Sequence, residues 1–268
     1  MFLRFLKSVV VCWLAVGGFS GAQARELRVC ADPDNLPFSN VRQQGFENHI
    51  ARIVARDLGV ELKYEWQRMG RGFVREYVDK SRCDVLIGIP VGYRAVLATA
   101  PYYRSSYVFV TRRGARFQPS SLDDPRLRAL KIGVQAVDEE YAPPAGALAR
   151  RGMQSSLVGF YSVGRHASDI VRAVLDGRID VAIVWGPIAG YAARKFPKQL
   201  ELRSVTPQMD PPALPLTFEI AMGVKKENES LRAELDEVLR RHRGEIQRIL
   251  RRYGVPELEL ISQEGAAN

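Results

Sequence analysis

Residues 27–60, LRVCADPDNLPFSNVRQQGFENHIARIVARDLGV, hold a short apolar run, a cluster of turn formers and an amphipathic stretch, in that order. LRVCA (27–31) reads as a strand that the DPDNLPFSN cluster ends. Phe46, Ile50, Ile53, Val54 and Leu58 then recur at helical spacing with charges between them, and Gly59 stands where such a helix would close. Beyond it LKYEW (62–66) alternates as a strand and FVREYV (73–78) reads as a short helix. CDVLIGIP (83–90) then has the length and composition of a buried strand. The order β-α-β-α-β predicts parallel pairing through right-handed crossovers.

A second unit of the same kind follows YVFVTRR (107–113) and a polar, turn-rich segment, opening with LKIGVQ (130–135). Its clearest signal is SDIVRAVLDGRIDVAIVW (168–185): Ser168 is placed to cap a helix, Ile170, Val171, Val174 and Leu175 form one apolar face, Gly177 ends it and a buried strand follows. That strand stops at Trp185, Gly186 and Pro187, and carboxyl ends of buried strands face ligands in α/β proteins. PQMDPPALPLTFEIAMGV (207–224) begins as a proline-rich extended loop and becomes a strand. LRAELDEVLRRHRGEIQRILRRYG (231–254) is helical, with Leu231, Leu235, Val238 and Leu239 on one face and Ile246, Ile249, Leu250 and Tyr253 continuing it. The reading is thus an α/β protein of two lobes with a helical tail.

At the amino terminus Arg4 and Lys7 precede a short apolar core and the small-residue sequence Ala22-Gln23-Ala24, the pattern of a cleaved secretory leader over residues 1–24. The apolar core is too short to span a bilayer, and no later stretch approaches that length, so the expected mature chain is exported to the periplasm and not inserted in the membrane. Loss of Arg4 and Lys7 takes the net charge from +9 to +7. An exported basic chain without a nucleic-acid motif points to an acidic protein partner or a membrane surface, or simply to a solubilising surface. Cys30 and Cys83 remain in an oxidising compartment. In a β-α-β-α-β unit the first and third strands are neighbours, which makes a Cys30–Cys83 disulfide geometrically plausible and predicts the bond, with two buried free thiols as the alternative.

The blocks LRVCADPDNLPFS, GFENHIARIVARDLG, RCDVLIGIP and APYYRSSYVFVTRRG resemble the type II periplasmic solute-binding proteins, extracellular solute-binding family 3. The resemblance implies two lobes, each a mainly parallel sheet flanked by helices, with an interlobe cleft and the C-terminal helices on lobe 1. The chain would pass between lobes near Thr111–Arg116 and again near Ala213–Glu219, giving lobe 1 as 25–112 with 217–268 and lobe 2 as 113–216. More narrowly, CADPDNLPFSN, RCDVLIGIPVGY, PYYRSSYVFV and IVWGPIAGY are similar to the MxaJ/XoxJ family, accessory proteins encoded with PQQ-dependent methanol dehydrogenases. That implies a non-enzymatic role beside a quinoprotein methanol dehydrogenase of the lanthanide type, in its assembly or activation, with the enzyme's cytochrome c as a further partner and a monomeric chain on its own. The alternative is an ABC-transporter solute-binding protein for a small apolar or anionic solute.

In amino-acid binders of the family, the resemblance implies, a carboxylate after the strand equivalent to VAIVW meets the ligand's ammonium group, an Arg after the third strand clamps its carboxylate, and an aromatic stacks on it. Here those places hold Trp185-Gly186-Pro187, the doubtful Arg94 and Asn35, and burying a zwitterion without both counter-charges costs several kcal/mol. The cleft candidates are Asn35, Phe38, Arg71, Pro90, Tyr93, Arg94, Tyr102, Tyr103, Gln135, Trp185 and Gly186, with plain core packing the alternative for Trp185 and the tyrosines. Arg68, Arg71 and Arg75 form either a basic recognition face or a solvated one. Asp32, Asp34 and Asn35 lack the Gly and Glu of a calcium loop, and His49, His166 and His242 lie on separate elements, so no metal or cofactor is expected. No catalytic residues are readable; Glu139 and Glu140 are the one paired-carboxylate feature an enzyme of this fold could use.

Overall fold

The computed structural model describes residues 25–68, 73–137, 140–162 and 164–261; the expected leader, residues 1–24, lies outside the described residues. The chain begins with β1 (Glu26–Ala31), the hairpin β2 (Asp34–Asn35) and β3 (Ser39–Asn40), and α1 (Phe46–Leu58). Then come β4 (Glu61–Trp66), α2 (Phe73–Tyr77), β5 (Val85–Pro90), β6 (Leu97–Ala98) and β7 (Tyr103–Arg112). The second unit holds β8 (Ile132–Val137), β9 (Glu140–Tyr141), α3 (Pro143–Arg150), β10 (Leu157–Tyr161), α4 (Asp169–Leu175), β11 (Val181–Trp185), α5 (Gly186–Ala193) and β12 (Leu200–Ser204). The hairpin β13 (Met209–Asp210) and β14 (Leu214–Pro215), then β15 (Thr217–Val224), α6 (Glu229–Arg241) and α7 (Arg243–Tyr253), complete it.

Eleven strands join in one sheet ordered β10-β8-β11-β7-β15-β5-β1-β4, with β12, β6 and β9 attached to β7, β15 and β8, and the two hairpins stand apart from it. Pairing of β1 with both β4 and β5 is parallel, as the β-α-β-α-β order requires. The amphipathic face of α1 closes over this half: Phe46, Ile50, Ile53 and Val54 are buried with Val29, Val85, Met222, and the apolar faces of α6 and α7. The second half packs β7, β8 and β11 between two further clusters, one with Leu148 of α3 and one with Ile170, Val171 and Val174 of α4.

Three details depart from the periodicity. The C-terminal helical stretch is two helices, broken at His242, whose ring sits between Asp57 of α1 (2.8 Å) and Glu245 (3.3 Å). Both apolar faces nevertheless enter one core. Ser168 holds the N-cap place of α4 but makes no side-chain capping bond. The exchange of strand partners falls inside β7, where Tyr103–Ser106 pair with β15 while Tyr107–Thr111 pair with β11. An uninterrupted strand can serve two sheets without a loop, so no turn former marks the place.

Cys30 and Cys83 form a disulfide with Cα atoms 5.5 Å apart, joining β1 to the residue two places before β5. The cross-link spans 53 residues of sequence, for which loop-closure entropy gives an upper figure of about 4 kcal/mol. The double substitution Cys30→Ser with Cys83→Ser should therefore lower the urea midpoint by an amount equivalent to about 2–4 kcal/mol. An unchanged midpoint would show that the bond constrains nothing the packing does not already fix.

Candidate functional site

A cavity of about 290 Å³ opens where β7, β11 and β15 part company. Asn35 and Phe38 come to it from the β2–β3 hairpin, Glu47 from the first turn of α1, and Ile87, Gly88 and Pro90 from β5. Tyr103 and Tyr107 of β7, Trp185 of β11, and Phe218 and Ile220 of β15 form the rest of the wall. Strand alternation explains the selection, since residues four apart on β7 and two apart on β15 share a face.

Trp185 is fixed from several sides. It is the cross-strand partner of Tyr107, their rings meeting edge to face at 5.4 Å, and it meets Phe218 in the same manner at 5.7 Å. The parallel ladder between β8 and β11 ends at the pair Val134 and Ile183, and one step on the buried side chain of Gln135 takes over, its Oε1 accepting from the Trp185 backbone N–H at 2.6 Å. Gly186 and Pro187 then open α5. A Cβ at Gly186 would lie 2.6 Å from Ser105 Oγ and 2.7 Å from the Ser106 carbonyl, so only glycine lets α5 start against β7. Pro187 sits in the first turn, where a missing N–H costs nothing. The Trp-Gly-Pro ending is thus one wall residue followed by a helix start.

Glu47 is the one acidic residue among the described residues lining the cavity. Burial pushes its carboxyl well above the usual range, and neighbouring Asp32 adds to the rise. Among the described residues lining the cavity there is no Lys or Arg. Burial likewise raises the phenols of Tyr103 and Tyr107, so both are neutral hydroxyls at physiological pH. Gly88, at φ +88°, makes room for the acid, because a Cβ there would collide with Glu47 Oε1.

Of the sequence candidates, Asn35, Phe38, Pro90, Tyr103 and Trp185 line the cavity. Gln135 and Gly186 stand behind it as supports. Tyr102 is buried in the α1 core, since neighbours along an extended chain face opposite ways. Tyr93 and Arg94 are exposed on the turn after β5, away from the lining. Arg68 and Arg75 are exposed, and Arg71 and Glu139 lie outside the described residues. Sequence reasoning missed Glu47, Gly88, Tyr107 and Phe218. An isolated glycine inside the apolar run VLIGIP was the one available signal, for it marks a close approach. Among the described residues no group of three or more His, Cys, Asp or Glu is placed to hold a metal ion, and no helix is long and apolar enough to cross a membrane.

A two-lobed α/β shell with a cavity where the halves meet defines a binding protein, and the chain belongs to the bacterial extracellular solute-binding proteins, family 3, whose model matches residues 27–256. It is 30% identical over 270 residues to Protein MoxJ of Paracoccus denitrificans, covering 91% of this chain and 94% of that protein. The crystal structure of MxaJ from Methlophaga aminisulfidivorans MPT superposes with a TM-score of 0.75 at 27% identity, covering 87% of this chain and all of that one. That of the periplasmic binding protein XoxJ from Methylobacterium extorquens AM1 gives 0.71 at 37% identity over the same share of this chain and, again, the whole of the other. The likeness of the quoted sequence blocks to the MxaJ/XoxJ family is borne out.

The raised Glu47 carboxyl has a consequence for stability. A group that holds its proton more firmly folded than unfolded stabilises the fold below its ordinary pKa of 4.5, and that contribution is lost as pH rises through the elevated folded value. Glu47→Gln should accordingly melt higher than the parent at neutral pH, with the difference closing as pH falls below 4.5. Melting curves across that range check it; a gap that stays constant or reverses sign would place the carboxylate in water.

Proposed function

We propose that the chain is an exported, non-enzymatic accessory protein of a quinoprotein methanol dehydrogenase, acting in the periplasm in that enzyme's assembly or activation. The cavity lining supports this most directly. Neither half of a zwitterion clamp lines the cavity: the end of β11 presents Trp185 rather than a carboxylate, and Arg94 is exposed and not among the lining residues. A free amino acid would lose its hydration there without recovering it. The family fold is retained, and what the cavity admits differs from what the fold's nutrient binders take.

The similarity to MoxJ, MxaJ and XoxJ over most of the chain supports the dehydrogenase as partner; its cytochrome c is proposed as a second. The working motion would be a hinge at Ser105–Tyr107 and Leu216–Phe218, where β7 and β15 carry the chain from one half to the other, with the lobes divided there. The rival role of capturing an anionic solute is disfavoured by the same lining, which among the described residues holds an acid and no Lys or Arg.

Chemical cross-linking or co-purification from methanol-grown cells should recover the dehydrogenase with this protein, and a deletion strain should lose dehydrogenase activity. Normal activity in the deletion strain with no detectable complex contradicts the proposal. Calorimetry with glycine or glutamate should show no micromolar binding; micromolar binding would return the protein to the amino-acid receptors.

A further inference from the structure

The Glu47 carboxylate enters the cavity on its own. No hydrogen bond or ion pair to its side chain forms among the described residues, and Gly88 leaves open the space its Oε1 occupies. Rings line the same cavity: Tyr107, Trp185 and Phe218 pack edge to face as one wall, and Tyr103 stands beside them. One carboxylate set against aromatic walls recognises an organic cation. The carboxylate supplies an ion pair, while the rings attract the positive charge through their π faces and pack on the attached carbons. A free amino acid brings its own carboxylate against Glu47 with no Lys or Arg among the described lining residues to receive it, and a plain anion fares no better. A volume of about 290 Å³ is at the lower end for ligand pockets and suits a headgroup with a few carbons rather than a nucleotide or sugar chain.

We propose that this cavity binds an alkylammonium group that has no carboxylate beside it, the shared chemistry of a small free amine and of a lysine side chain presented by a protein. The proposal builds on the reading of this cavity as the functional site and adds the class of group that enters it. The basic net charge of the chain does not oppose it, because the charge that matters is the one facing the guest.

The test is isothermal calorimetry on the whole mature protein at neutral pH, with n-butylammonium, Nα-acetyl-lysine N-methylamide, butyrate and norleucine as probes. The expected result is binding of butylammonium, of the blocked lysine or of both, none of butyrate or norleucine, and at least tenfold weaker binding by Glu47→Gln. Trp185→Leu should weaken it as well. Butylammonium at least tenfold tighter than blocked lysine assigns the site to a free amine; equal or tighter binding of blocked lysine assigns it to a partner's side chain. Failure of both cations to bind overturns the proposal, and so does butyrate binding as well as butylammonium, or Glu47→Gln binding unchanged. The four-probe comparison on the parent protein decides the matter even if a variant fails to fold. Amine binding with no dehydrogenase complex would count against the accessory role and leave this site standing; a dehydrogenase complex without amine binding would do the reverse.

Discussion

Strand β7 is shared by the two halves of the molecule, and the cavity exists because of how it is shared. Its first four residues hydrogen-bond to β15 and the next five to β11, so the change of partner at Ser106 and Tyr107 opens a gap between β11 and β15 without leaving backbone groups unpaired. The residues at the exchange are small and buried, with Ser105 and Ser106 almost wholly removed from solvent, and Gly186 lies against both. Ser105 Oγ also donates to the Pro256 carbonyl at 2.7 Å, which ties the C-terminal segment to the same point. The residues lining the gap come from five strands, the β2–β3 turn and a helix, and five of the eleven are aromatic. A gap bounded by a shared strand can change width as the halves move while its lining stays paired.

Much of the architecture is legible in the sequence because burial imposes period. The alternation in LKYEW, the spacing of Phe46, Ile50 and Ile53, and the apolar runs of β5 and β11 each report an element buried on one or both faces, and all are found. The β1–β5 adjacency followed from topology, and with it the Cys30–Cys83 bond. The crossover was hidden, since nothing in YRSSYVFVTR distinguishes a strand with one set of partners from a strand with two. Short elements such as β10, β12 and α5 lacked the length for a periodic signal.

The site was half legible. Trp185 and Tyr103 announced themselves as large aromatics at strand ends, whereas Glu47 was masked by a commonplace: an acid in the first turn of a helix is ordinarily read as a partner of the helix dipole in water. Only the tertiary fold shows that this turn is covered by β5 and the β2–β3 hairpin. Composition misled in a related way. The chain carries a net charge of +9, with exposed basic residues such as Arg240, Arg243 and Arg251 of α6 and α7 on outer surfaces, yet the described cavity lining holds one acidic residue and no Lys or Arg. Net charge describes what the surface attracts; the charge of a pocket depends on which few residues the fold turns inward.

The account turns on the state of that one carboxyl group. Its own titration, followed by carbon NMR of the Glu47 carboxyl in uniformly labelled protein and assigned by its loss in Glu47→Gln, measures the desolvation directly. The account expects a midpoint well above 4.5, moving down toward the ordinary range when an alkylammonium probe is added. A midpoint at or below 4.5 without any ligand would mean that the acid is hydrated or already paired, and the cavity would lose the feature on which its reading rests.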